Sequence, residues 1–397
     1  MRNPLSFQPV AESSHLDVEL AAELEALRQR TLFRRLRSVA GRQAARMKVD
    51  GRECLMLAGS NYLDLAADAR VVAAAQAAAA EFGAAAAGSR LINGNLALHE
   101  ELERELAEFS GHEAALVFST GYMANLGVLT ALCGPDDVIV SDALNHASIV
   151  DACRLARAET RVFRHNDPED FARVARELAG YRRRVLVVDG VYSMDGDVAR
   201  LAELVPIARV HDMVVVLDDA HGLGILGPRG RGAAELAGVS VDVLVGNLGK
   251  ALGSFGAFVA GSSLLREYLV NTARSFIFTC ALAPPALGAA RAALSIARAE
   301  PDRRKLLLER AEQLRAGLGA LGWNTLGSST QIVPALVGEN AAALRVTEEL
   351  LARGVYAQAI RHPSVPHGTA RIRLTPTCAH SADDVERVVA SFAEIAR

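Results

Sequence analysis

RVLVVDGVYSMDGD at 184–197, MVVVLDDAHG at 213–222 and VDVLVGNLGKALG at 241–253 decide the fold. Each carries a run of Val and Leu that leads into a polar turn. Runs of this length suit strands covered on both faces, because a strand with one wet face would alternate apolar and polar residues. Two further runs lie upstream, AALVF at 114–118 and DVIVSD at 137–142. Helical patterns such as YMANLGVLTAL (122–132) and ASIVDACRLARA (147–158) separate them. Strands alternating with helices predict an α/β fold with a mostly parallel sheet, and ligands of such sheets bind past the carboxyl ends of the strands.

Outward from this centre, His15 to about Gly41 reads as a polar, Arg-rich helix, an arm rather than a domain. VDGREC (49–54) reads as a tight turn between short strands, and the alanine-rich VVAAAQAAAAEFG (71–83) as helix. After Pro284-Pro285 the pattern changes to long amphipathic helices over 286–320, a strand at 331–338, a helix near 341–353 and a strand at 371–375. The expected division is an N-terminal helical arm (1–48), a large domain (49–289) and a smaller C-terminal α+β domain (290–397).

The 397 residues are 51% hydrophobic and 22% charged, a globular composition. A formal net charge of -3 argues against nucleic acid or an anionic membrane as partner. Cys54, Cys133, Cys153, Cys280 and Cys378 form no CxxC pair, so no metal is expected and they read as free thiols of a reducing compartment. With no signal-peptide core and no run of ~18 apolar residues, a cytoplasmic protein is expected.

Only three of the 43 basic residues are lysine: Lys48, Lys250 and Lys305. Guanidinium stays protonated and cannot act as a nucleophile, so a lysine kept against this bias is a candidate reactive amine. Lys48 and Lys305 sit among charges. Lys250 follows a buried strand in a glycine-flanked loop.

The other strand ends converge on the same rim. Ser119-Thr120-Gly121-Tyr122 follows the first strand and opens a helix, where backbone N–H groups could hold an anion; a plain turn would look the same. His146 begins the helix after the second strand and could equally be a cap. Ser193 lies in the polar turn after the third. Asp218 closes the fourth, with His221 three residues on; helix N-cap is the bland alternative for this aspartate. An aldehyde cofactor with a phosphate tail accounts for all of them together: Lys250 to attach the aldehyde, Asp218 for a ring nitrogen, Gly121 and its neighbours for the phosphate, and His146 for the ring face.

STGYMANLGVL, SDALNHASI, DGVYSMDGD, LDDAHGLGILGPRGRG and GNLGKALGSFGAF, in this order, resemble the motifs of the α-oxoamine synthases. These are pyridoxal-phosphate (PLP) enzymes of fold type I, the aspartate-aminotransferase fold. SRLINGNLALHEELE, NDPEDF and AIRHPSVPHGTARIRLT place the resemblance nearest the biotin-pathway branch, which joins L-alanine to a pimeloyl thioester. The resemblance implies that Lys250 carries the cofactor and moves a substrate proton. It implies that Asp218 pairs with the pyridine nitrogen and that His146 stacks on the ring. His221 and Ser193 would contact the ring's oxygen side, and Gly121 and Tyr122 would approach the cofactor through the backbone. Asn247 and Thr279 would contact phosphate, the latter across a homodimer interface. Arg373 would grip the amino-acid carboxylate, and Ser364 and Arg34 the acyl substrate, delivered by CoA or an acyl carrier protein. Asn247 stands where the family usually has Thr, and Asp64 where its NYLGL motif has Gly. A sibling acting on glycine and acetyl-CoA or on a natural-product acyl carrier, an ordinary aminotransferase, and a PLP-binding protein without turnover are the alternatives.

Overall fold

The computed structural model describes residues 14–395, so residues 1–13 of the expected arm lie outside the described residues. Its centre is a seven-stranded sheet in the spatial order Ala114–Phe118, Ala257–Gly261, Val243–Asn247, Val214–Asp218, Arg184–Asp189, Val138–Asp142, Glu159–Phe163. Ala257–Gly261 runs antiparallel to both neighbours, and the remaining pairs are parallel. The apolar runs are unbroken because alternate residues serve opposite faces. Leu186 and Val188 join one core cluster while Val185 and Val187 join another, and Val215 and Val216 divide the same way. All five strands expected from apolar runs are present. The antiparallel strand and the edge strand Glu159–Phe163 are additional, and the latter shows four exposed residues before its buried Phe163.

A smaller C-terminal layer holds an antiparallel sheet with Ala370–Leu374 at its centre, flanked by Val333–Gly338 and Gln358–Ile360. The expected cut points pass through packed elements. Residue 49 ends the strand Arg46–Val49, and Leu55 and Leu57 just beyond it belong to the C-terminal core with Leu314, Val333 and Ile372. Position 289 lies inside the helix Pro284–Ala299, whose Leu287, Ala290, Ala293 and Leu294 pack into the large core. The VDGREC turn forms as expected, with Asp50 and Gly51 at φ 48° and 81°.

The N-terminal helix is shorter than its pattern implies, spanning His15–Gln29 with no buried residue. A capping box between Ser14 and Asp17 starts it. Thr31, at φ 57°, turns the chain out of the helix. The carbonyls of Thr31 and Phe33, which a continuing helix would use internally, accept instead from the guanidinium of Arg361.

Candidate active site

The strand register brings the carboxylates into one row. Asp189 pairs with Asp218, and Asp218 with Val245, two residues before Asn247. Asp218 is buried and is not an N-cap: its Oδ2 accepts from Asn125 Nδ2 at 2.6 Å and its Oδ1 from the Ala220 N–H at 3.0 Å. Asn125 gives its other amide hydrogen to Ser148 Oγ at 2.9 Å, and Ser148 Oγ lies 2.8 Å from His146 Nδ1. His146 caps the helix Ala147–Ala156 through Nδ1 as well as facing this row, so its structural and site roles coincide.

Lys250 occupies the turn after Val243–Asn247, and its Nζ lies 3.1 Å from His221 Nε2. Burial pulls the amine below its usual range, Arg373 adds to the pull, and Asp218 and Asp189 oppose it. His221 is held far below the ordinary imidazole value by burial, with the cations Lys250 and Arg373 and the ring of His146 adding to the effect. Its Nδ1 meets the hydroxyl of Tyr62 at 2.8 Å, and that oxygen also accepts from Arg373 Nη2 at 3.2 Å. Arg373 Nε donates to the Ser193 carbonyl at 2.6 Å. Lys250, His221, Tyr62, Arg373 and Ser193 therefore form one hydrogen-bonded line. A cavity of about 240 Å³ opens beside Lys250, lined also by Ser60, Asn61 and Thr377.

At the other end of the row the helix Gly121–Leu132 begins with the N–H groups of Gly121 and Tyr122, while Thr120 Oγ1 caps Met123. A Cβ on Gly121 would come within 3.1 Å of Asn247 Nδ2. Asn247 Oδ1 accepts from the Gly249 N–H at 2.7 Å, which leaves the amide nitrogen aimed at this helix start. Two helix N–H groups and a side-chain amide face one small gap that only glycine leaves open, and this suits a phosphate. The lysine, the carboxylate row and this cradle fit PLP.

The remaining expected residues lie elsewhere. The Tyr122 side chain turns outward and donates to Asp151, consistent with a backbone role only. Thr279 sits half-buried in the turn before Cys280, whose carbonyl accepts from Ser119 Oγ at 3.3 Å. Within one chain it makes no hydrogen bond to the cradle. Arg34 and Ser364 are brought together in a larger cavity of about 730 Å³ between the N-terminal arm and the C-terminal layer, lined also by Arg28, Arg35 and Arg361. This cavity shares no lining residue with the one beside Lys250.

Asp189 of the row and Tyr62 of the line were not singled out by sequence. Asp189 is buried, accepts from the His146 N–H at 2.7 Å, and is pushed well above the carboxylate range by burial and by Asp218. It closes an apolar strand just as Asp218 does, and that was the available signal. Tyr62 is fully buried and 159 residues from His221 in sequence; it lies in the stretch that matches the NYLGL motif, but nothing local pairs it with His221.

Fold and rim together define a PLP-dependent enzyme of fold type I. The chain belongs to the family "Aminotransferase class I and II", whose model matches residues 52–392, and within it to the α-oxoamine synthases. It is 47% identical over 382 residues to the 8-amino-7-oxononanoate synthase of Geobacter sulfurreducens, covering 95% of this chain and 98% of that one. It is 41% identical to 8-amino-7-oxononanoate synthase 2 of Bacillus subtilis, over 96% and 98% of the two chains. Among solved structures, the Sphingomonas wittichii serine palmitoyltransferase superposes with a TM-score of 0.90 at 34% identity, covering 96% of this chain and 98% of that one. The 8-amino-7-oxononanoate synthase of Francisella tularensis gives 0.75 at 25% identity, over 86% and 97%. Among the described residues no helix is long and apolar enough to cross a membrane.

Proposed function

We propose that the chain condenses L-alanine with a pimeloyl thioester, releasing carbon dioxide and a free thiol and giving 8-amino-7-oxononanoate, a step of biotin synthesis. The observation that carries this reading is the line from Lys250 through His221 and Tyr62 to Arg373, which sets a reactive amine at a fixed remove from a carboxylate-binding guanidinium. The names of the curated relatives supply the substrates.

PLP, when bound, supplies an electrophilic carbon and an electron-withdrawing ring. Arg373 holds the amino-acid carboxylate through the Nη1 and Nη2 edge that its bonds to Ser193 and Tyr62 leave toward the cleft. Lys250, with its amine depressed by burial, is suited to take the proton from the substrate Cα. Neutral His221 accepts a hydrogen bond from that amine and keeps it aimed. Asp218, fixed by Asn125 and the Ala220 N–H, would face the ring nitrogen, and burial and Asp218 push the carboxyl of Asp189 beside it well above the carboxylate range. His146 would cover the ring face, and the N–H groups of Gly121 and Tyr122 with Asn247 Nδ2 would hold the phosphate. Arg34 and Ser364 receive the acyl chain from CoA or an acyl carrier protein.

We further infer a homodimer that brings Thr279 to the partner's phosphate cradle. Ile92, Phe255 and Phe278 support this, being 83%, 57% and 70% exposed on the chain alone. The test of the reaction is thiol release from pimeloyl thioesters with a panel of amino acids. Alanine should be used well above glycine and serine, with stoichiometric carbon dioxide. Keto-acid exchange without thiol release would replace the reading with aminotransfer.

A further inference from the structure

We propose that Arg371 and Asp195 form a positioning pair that sets the aim of Arg373. The inference rests on the reading of Arg373 as the carboxylate-binding residue. Arg371 and Arg373 lie two apart on the central strand of the C-terminal sheet, so both project from the same face. They meet two groups that are also two apart on one turn of the large layer: Arg371 Nη1 pairs with Asp195, and Arg373 Nε donates to the Ser193 carbonyl. The result is a two-rung clasp between the C-terminal strand and the turn after Arg184–Asp189.

Arg371 is 3% exposed and has no freedom within the clasp. Its Nε donates to the Thr369 carbonyl at 2.9 Å and its Nη2 to Thr369 Oγ1 at 3.0 Å, which leaves Nη1 for Asp195. The turn is gripped from its far side too. Gly196, at φ 74°, presses so closely on Ile332 that a Cβ there would lie 2.1 Å from the Ile332 carbonyl oxygen. The Gly196 carbonyl accepts from Thr330 Oγ1 at 2.8 Å and from the Ser329 N–H at 3.2 Å. The turn is therefore tied to the C-terminal layer, and among the described residues Asp195 is its charged link to the strand that bears Arg373. A loosened Arg371 rung would let the Ser193 carbonyl shift against Arg373 Nε and swing the guanidinium from the cleft. Small misplacements of a positioning group are costly because binding depends on two-point geometry.

The test is a double-mutant cycle on the PLP-loaded protein, read by calorimetric titration of L-alanine alongside KM for the acyl thioester. Asp195→Asn should weaken alanine binding about tenfold, about 1.4 kcal/mol, and leave the acyl KM within about twofold. In an Arg373→Lys background the same change should add less than about twofold, because the pair acts through Arg373. If Asp195→Asn alone leaves the Arg371 charge too exposed to its loss for folding, Asp195→Asn/Arg371→Gln removes both charges and should give the same split. Full additivity with Arg373→Lys, or an equal loss for both substrates, overturns the positioning role. An Arg373→Lys single variant with unchanged alanine affinity instead overturns the assignment of Arg373 on which the inference rests.

Discussion

Lys250 Nζ lies 3.1 Å from His221 Nε2, and this contact fixes where the imidazole keeps its proton. Burial and the neighbouring cations hold His221 neutral, so it has one N–H. With Nε2 accepting from an N–H of the lysine amine, the hydrogen belongs on Nδ1, where Tyr62 receives it at 2.8 Å. Tyr62 thus sets the tautomer that lets His221 aim Lys250, and it steadies Arg373 with the same oxygen.

Tyr62→Phe removes that oxygen while keeping the buried ring. The Nδ1–H is then left without a partner at a cost of roughly 1–3 kcal/mol, and the other tautomer would give up the acceptor that aims the Lys250 amine. Turnover should fall about ten- to a hundredfold with PLP content unchanged, measured by thiol release and cofactor absorbance. Wild-type turnover would remove Tyr62 from the line.

Lys250→Ala should yield protein in which borohydride reduction attaches no cofactor to the chain, checked by intact mass. Lys250→Arg should behave alike, since guanidinium does not condense with an aldehyde. Covalent capture at another lysine would have to come from Lys48 or Lys305, which face Glu53 and Glu309 at the surface.

Asp218→Asn should cost more than the loss of a charge. Both of its carboxylate oxygens accept, from Asn125 and from the Ala220 N–H, and an asparagine can satisfy only one of those donors. Turnover should drop at least about tenfold. Asp219→Asn makes the informative control. That side chain is fully buried and held by the Ala233 N–H at 2.6 Å, and burial pushes its carboxyl up to about 7. A carboxyl near 7 is largely neutral below that pH, the form that asparagine mimics, so at pH 6 Asp219→Asn should keep turnover within a fewfold. Equal losses in the two variants would argue against a cofactor role specific to Asp218.

The large sheet was legible because runs such as Val185–Val188 and Val214–Leu217 are apolar on both faces, and so were Lys250, Asp218, His146 and His221, each at a strand end or helix start. Glu159–Phe163 was not legible, because this edge strand, paired on one side only, is exposed on both faces up to Phe163 and so carries Glu, Thr and Arg in succession. The N-terminal pattern continues past Gln29, but the helix ends there: the N–H groups of Arg30, Thr31 and Leu32 close its last carbonyls, and a distant residue, Arg361, takes the carbonyls of Thr31 and Phe33 just beyond it. Tyr62 and Arg371 act across the two layers. Their partners, His221 and Asp195, are 159 and 176 residues away in sequence, and tertiary packing alone brings them together.

The His165 cluster beneath the Ser193 turn predicts how stability depends on pH. His165 Nδ1 lies 2.9 Å from Asp142 Oδ1 and its Nε2 3.1 Å from Asp197 Oδ2; burial opposes the charge, but the two carboxylates outweigh it and raise the imidazole from 6.5 to about 10. A group whose folded value is raised adds stability that is fully present below the unfolded value and lost as pH rises through the folded one. The thermal midpoint should therefore decline between about pH 6.5 and 10, and His165→Gln should flatten that decline while lowering the midpoint at pH 6. An unchanged slope in the variant would assign the decline to other groups.

Asn247 has two separable roles. Its Oδ1 braces the Lys250 loop through the Gly249 N–H, and its Nδ2 faces the gap at Gly121. Asn247→Ala removes both. A bond to a charged acceptor is worth roughly 1.5–3 kcal/mol, so PLP dissociation should strengthen about ten- to a hundredfold in favour of the free cofactor. Asn247→Thr offers a hydroxyl from a side chain one atom shorter and should stay near wild type. Asn247→Asp is the deciding variant, because it keeps the acceptor for Gly249 but turns an anion toward the phosphate. If Nδ2 binds phosphate, Asn247→Asp should lose PLP more readily than Asn247→Ala. If the residue only braces the loop, Asn247→Asp should hold PLP as the wild type does and Asn247→Ala alone should fail. Measuring PLP release by dilution and gel filtration for the three variants distinguishes the roles, because the order of Asp against Ala reverses between them.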